Sequence, residues 1–183
     1  MTDLGRFSEP TTKPPGNVSN LHSRISSAAK VRGTFERRIQ RIVANVIVGQ
    51  MLPGGVVKGG TAMQLRRGED ATRFTPDLDA SRRAGESVDD YVELFAIALA
   101  KGWNGFNGTI KPATKPQPDD VPDDYIMSPF EIRLAYRGHH WLTVEFELGR
   151  DEVGSTVASE PVMSKDIIAI FRGLDFPTQT LYP

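Results

Sequence analysis

Apolar residues first recur at helical spacing in Leu21, Ile25, Ala28 and Ala29, behind Ser19 or Asn20 as a helix cap. A second helix is predicted from Thr34 towards Val48, with Phe35, Ile39, Ile42, Val43 and Val46 on one core-facing stripe. The segment QMLPGG then turns the chain, and VVK, Val56 to Lys58, reads as a short buried strand ending at Gly59 and Gly60. From Thr61 the pattern TAMQLRRG is helical until Gly68 stops it. The strongest helical signature lies in ESVDDYVELFAIALAKG, with Ser87 as cap, Asp90 three residues later, Val88, Tyr91, Phe95 and Leu99 along a buried face, and Gly102 as terminator. A strand is expected near Phe106 to Lys111, followed by a long proline-rich loop, PATKPQPDDVPDD. The alternating runs FEIRLAY and WLTVEFEL, joined by RGHH, read as a hairpin. In its second strand Leu142, Val144, Phe146 and Leu148 claim the core, which sends Trp141, Thr143, Glu145 and Glu147 to the other face. This succession predicts an α+β fold, a mixed β-sheet with helices packed against it.

Composition narrows the picture. A chain of 183 residues, 39% of them apolar, can build one globular core. That domain is assigned to residues 19–183, behind an arm at residues 1–18 that is rich in Pro, Gly, Ser and Thr and expected to be flexible. The absence of cysteine excludes disulfides, zinc thiolate sites and cysteine nucleophiles. A net charge of −1 argues against capture of nucleic acid by the surface as a whole. It conceals arginines crowded between Arg24 and Arg83 and an acidic loop carrying Asp119, Asp120, Asp123 and Asp124, so a local basic surface stays open. No apolar run has membrane-spanning length, and the amino terminus lacks the charged-then-apolar order of a secretory signal. A cytoplasmic protein without membrane association is expected.

Three segments carry candidate chemistry. Glycines at a strand-to-helix junction, here Gly59 and Gly60, let a ligand approach the backbone, and the free N–H groups of the helix start suit phosphate, with the Thr61 hydroxyl as a further donor. A tight turn is an equal reading of the pair. In the extended stretch Thr75 to Ala80, Asp77 and Asp79 project from one face and would repel each other without a cation such as Mg²⁺ between them. A solvated turn with a helix cap is the plainer alternative. Glu145 and Glu147 point either to solvent or into a cleft, which alternation cannot decide. His139 and His140, adjacent at a hairpin tip, point to opposite faces and read as turn residues rather than metal ligands. A dinucleotide site would need a third spaced glycine, which does not follow Gly60. The apolar strand that precedes the Asp-x-Asp of haloacid dehalogenase-type phosphatases is also missing before Asp77.

Taken together, a glycine-rich helix start, paired aspartates and a further carboxylate are what nucleotidyl transfer requires. The stretch KGGTAMQLRRG...RFTPDLDA, Lys58 to Ala80, resembles the AbiEii/AbiGii family of abortive-infection nucleotidyltransferase toxins, of the polymerase β-like superfamily. Its pattern is Lys-Gly-Gly-Thr-Ala, then Arg-x-Ser/Thr-x-Asp-apolar-Asp. The resemblance covers residues 35 to 83 closely and 130 to 183 loosely. It implies a small mixed sheet with flanking helices, and nucleotide contacts from Lys58, Gly59, Gly60 and Thr61. It also implies Mg²⁺ on Asp77 and Asp79, with Glu145 as third carboxylate and base and Glu147 as its competitor. Arg73 matches the family arginine, set to assist the phosphates or to brace its loop by pairing with an aspartate. The implied reaction moves a nucleotide from a nucleoside triphosphate to an acceptor hydroxyl. In the toxins the acceptor, where known, is the tRNA 3′ end, and an antitoxin protein acts as restraint. Family members continue past a stretch like FPTQTLYP into a helical lobe, whereas this sequence ends at Pro183. A transferase acting on a small molecule or protein, or a truncated, non-catalytic interaction module, therefore stand as alternatives.

Overall fold

The computed structural model describes residues 13–68, 72–114, 126–151 and 164–176. Its helices are α1 (Val18–Arg32), α2 (Glu36–Gly49), α3 (Gly59–Arg67), α4 (Val88–Lys101) and α5 (Lys165–Gly173). Its strands are β1 (Val56–Lys58), β2 (Leu78–Arg82), β3 (Phe106–Pro112), β4 (Ser128–Tyr136) and β5 (His139–Arg150). The proline-rich acidic stretch at 115–125, the terminal PTQTLYP and residues 1–12 of the expected arm lie outside the described residues.

Helix α1 is capped by Asn17, not by Ser19 or Asn20: the Asn17 Oδ1 accepts from the Asn20 N–H at 2.8 Å. Residues just before it are fastened to the domain. The Lys13 carbonyl accepts from the Arg24 guanidinium at 2.9 Å and the Pro15 carbonyl from the Tyr136 hydroxyl at 2.7 Å. In α2 the residues Ile39, Ile42, Val43 and Val46 are buried as their spacing requires. Phe35 is not; it is 83% exposed, because it is the N-cap residue with extended backbone, and the helical period does not govern where its side chain points. Helix α4 is capped as predicted, Ser87 Oγ accepting from the Asp90 N–H at 3.0 Å, and its Tyr91, Phe95 and Leu99 are fully buried.

The five strands form one sheet in the order β1-β2-β5-β4-β3. Every pairing is antiparallel except β2 with β5, which is parallel, so the sheet is mixed. The Phe95 ring of α4 stands edge-on to Phe146 of β5 with centroids 5.3 Å apart, which seats α4 on the apolar face of the sheet. Strand β5 departs from strict alternation at one point. Leu134 pairs with Leu142 and Ala135 with His140, leaving Trp141 as an extra residue on β5. That bulge turns Trp141 inward, 5% exposed, against the Phe106 ring at 5.3 Å, whereas alternation had sent it outward. Helix α5, which the sequence reading did not anticipate, buries Ile167, Ile170 and Phe171 and packs against α1 and α2. Among the described residues no helix is long and apolar enough to cross a membrane.

Candidate catalytic site

The sheet register decides what stands beside the glycine pair. In the β1–β2 pairing Lys58 lies opposite Asp79, and in the parallel β2–β5 pairing Asp79 lies opposite Glu147. Leu78, Ala80, Phe146 and Leu148 are all fully buried on one face, so the period of two puts Asp79 and Glu147 on the other. Asp77, one residue before β2, continues the same register towards Glu145. Two carboxylate rungs result across β2 and β5: Asp77 with Glu145, and Asp79 with Glu147. Glu145 is exposed and the other three are half-buried. The register sets one glutamate across from each aspartate and does not by itself choose between Glu145 and Glu147 as partner of both.

The glycine pair touches this face directly. Gly59 has φ of 65° and opens α3. A Cβ built on it would lie 2.1 Å from the Asp79 Oδ2 and 3.1 Å from its Cγ. The Asp79 carboxylate therefore leans on the Gly59 backbone, in space that only glycine leaves open. Gly60 faces the segment leading to Asp77 in the same way, since its added Cβ would meet the Thr75 Cβ at 2.8 Å. Lys58 extends from the end of β1 across the sheet, and a Cβ on Gly149 of β5 would come within 2.6 Å of the lysine Nζ. Its ammonium thus reaches β5 beside Gly149, one same-face position beyond Glu147.

Thr61 does not face this cleft. It is 1% exposed, and its hydroxyl donates to the Asp77 carbonyl at 2.8 Å while accepting from Asn45 Nδ2 at 3.2 Å. A hydroxyl has one proton to give, and in this geometry the Thr61 proton goes to the Asp77 carbonyl. Arg73 is exposed and makes no ion pair or hydrogen bond among the described residues. Its loop is braced instead by Arg38, whose Nη2 donates to the Thr72 carbonyl at 3.2 Å.

Two functional candidates escaped the sequence reading. Arg41 of α2 donates Nη1 to the Thr143 carbonyl at 3.0 Å, two residues from Glu145. Burial pulls its guanidinium below the ordinary arginine value and nearby Arg37 adds to that, while Glu145 and Asp77 push in the other direction. A cation therefore already accompanies the Asp77–Glu145 rung. Asn45 is the second, and its only signal in the sequence is a polar residue inside the apolar run IVANVIVG.

Aspartate and glutamate oxygens are the hard donors that Mg²⁺ takes, so the residue types fit the ion. Among the described residues, no three His, Cys, Asp or Glu side chains converge as a group that could hold a metal ion. His139 and His140 are exposed at the start of β5. No protein-family model matches the chain, and no curated protein sequence matches it significantly.

Proposed function

We propose that the face built from Asp77, Asp79, Glu145 and Glu147 is the metal and nucleotide site of a nucleotidyltransferase. The observation that carries the reading is the contact of Gly59 with Asp79. The glycine turn and the Asp-x-Asp segment, 18 residues apart by their numbers, form one surface. The main-chain N–H groups at the start of α3 supply partial positive charge to a phosphate, and Lys58 adds a full charge beside them. Mg²⁺, held on Asp77 and Asp79, would neutralise charge on the phosphates. Glu145 or Glu147 takes the proton of the acceptor hydroxyl. The oxygen so freed bonds to the α-phosphorus as pyrophosphate leaves. The tRNA 3′ end as acceptor, and an antitoxin as partner, follow from the family resemblance alone.

A second reading, an interaction module without catalysis, draws on the two resident cations. Arg41 offsets part of the charge of Asp77 and Glu145 without a metal, and Lys58 brings a second positive charge to the same face.

Both readings are separated by Mn²⁺ binding to the intact chain, measured by electron paramagnetic resonance, and by transfer of label from α-labelled nucleoside triphosphates to total RNA. The nucleotidyltransferase reading expects both signals, and their loss in Asp77→Asn and in Asp79→Asn. A folded protein with neither signal supports the module, and full signals in both variants remove the proposed site.

A further inference from the structure

Helix α2 carries an anomaly in its most buried stretch. Between Val43 and Gly49 every residue is buried, and all are apolar or glycine except Asn45, which is 2% exposed. Its Nδ2 donates to Thr61 Oγ1, but its Oδ1 has no hydrogen-bond partner among the described residues. A half-satisfied amide in an apolar helix face is destabilising relative to a leucine of similar size. The orientation of that amide is fixed by donor counting. The Asp77 carbonyl can only accept, so the Thr61 proton goes to it, and Thr61 must then accept from the amide nitrogen. The chain Asn45 to Thr61 to Asp77 runs from the buried face of α2, through the first turn of α3, to the main chain at the head of β2. It ends beside the first carboxylate.

We propose that Asn45 and Thr61 are positioning residues that fix the Asp77–Asp79 segment from behind. On this assignment Thr61 sets where the carboxylates stand and does not touch a phosphate. The local violation of burial rules at Asn45 is the feature that distinguishes this from ordinary packing, since violations of that kind concentrate where a site must be held in place. The inference deepens the nucleotidyltransferase reading and rests on it for its purpose, though not for its geometry.

The test uses the intact chain with Thr61→Val, Thr61→Ser and Asn45→Leu. Thr61→Val should weaken Mn²⁺ binding by about tenfold or more, the scale expected when support behind a ligand is lost, and Thr61→Ser should stay close to wild type. Asn45→Leu should weaken Mn²⁺ binding severalfold while leaving the melting temperature unchanged or raised, a split that a merely structural role does not produce. Unchanged Mn²⁺ binding in Thr61→Val, together with lost triphosphate affinity, would place the hydroxyl on the phosphate and overturn the assignment. If the wild-type chain binds no Mn²⁺, the nucleotidyltransferase reading fails separately. The relay is then judged by hydrogen–deuterium exchange of the peptide spanning Phe74 to Ala80. Faster exchange in Thr61→Val than in Thr61→Ser supports the relay, and equal protection overturns it.

Discussion

Replacing Gly59 with alanine puts the link between the glycine turn and the aspartates to a quantitative test. Two separable effects follow from the geometry. The first is backbone strain: at φ of 65° an added Cβ costs about 1–2 kcal/mol. The second is the approach of that Cβ to within 2.1 Å of the Asp79 Oδ2, which forces the carboxylate aside. Because this oxygen is the far end of a rotatable side chain, displacing it costs only about 0.5–1.5 kcal/mol. The expected total is about 1.5–3.5 kcal/mol, or roughly 3–14 °C in melting temperature for a chain of this size. Urea unfolding of Gly59→Ala, Asp79→Ala and the double variant separates the two parts. With the Asp79 carboxylate gone, Gly59→Ala should cost only the backbone part, leaving a coupling of about 0.5–1.5 kcal/mol. Gly59→Ala should also weaken Mn²⁺ binding well beyond what its lost stability implies, because the displaced group is a proposed ligand. Coupling below about 0.3 kcal/mol, combined with wild-type Mn²⁺ affinity, refutes the argument that Gly59 seats Asp79.

Arg41→Gln removes the cation beside Glu145 and Asp77, so Mn²⁺ titration at low salt should show severalfold tighter binding, with the gain shrinking as salt is added; weaker binding would mean that Arg41 assists the site. Phe35 caps α2 without a side-chain hydrogen bond and is largely exposed, so Phe35→Ser should stabilise the protein by about 0.5–1 kcal/mol in urea unfolding. A loss above 1 kcal/mol there, taking about 1 kcal/mol as the scale of a lost contact, would show that the ring is buried after all.

Helices α1 to α4 and the carboxylate face were legible because both depend on local periodicity. Four large apolar residues on β5 left Glu145 and Glu147 no choice of face, and the Ser87 cap and Gly102 stop bracketed α4 nearly to the residue. What periodicity cannot carry is partnership between distant strands. The assignment of Asp77 to Glu145 and of Asp79 to Glu147 needs the parallel β2–β5 register, which no local signal encodes. Trp141 failed for a related reason, since a bulge shifts the phase of alternation and leaves no mark in composition. The Thr61 hydroxyl has its partners, Asn45 and the Asp77 carbonyl, on other elements, and no local signal points to them. Helix α5 was legible in principle: Ser164 stands before Ile167, Ile170 and Phe171 at helical spacing.

The single parallel pairing also predicts the order in which the site assembles. Strands β4 and β5 meet across a two-residue turn at Arg137 and Gly138, so their closure is entropically cheap. Strand β2 must find β5 across a loop of roughly seventy residues, and that entropy is lost before any contact offsets it. During synthesis the glycine turn and both aspartates leave the ribosome well before the strand that carries their glutamates. Late assembly of the carboxylate face is therefore the expected outcome. In stopped-flow measurements a conservative truncation in β2, such as Leu78→Ala, should act mainly on the unfolding rate, whereas Val144→Ala in the hairpin should also slow folding. Equal partition at both positions would mean that the hairpin does not form first.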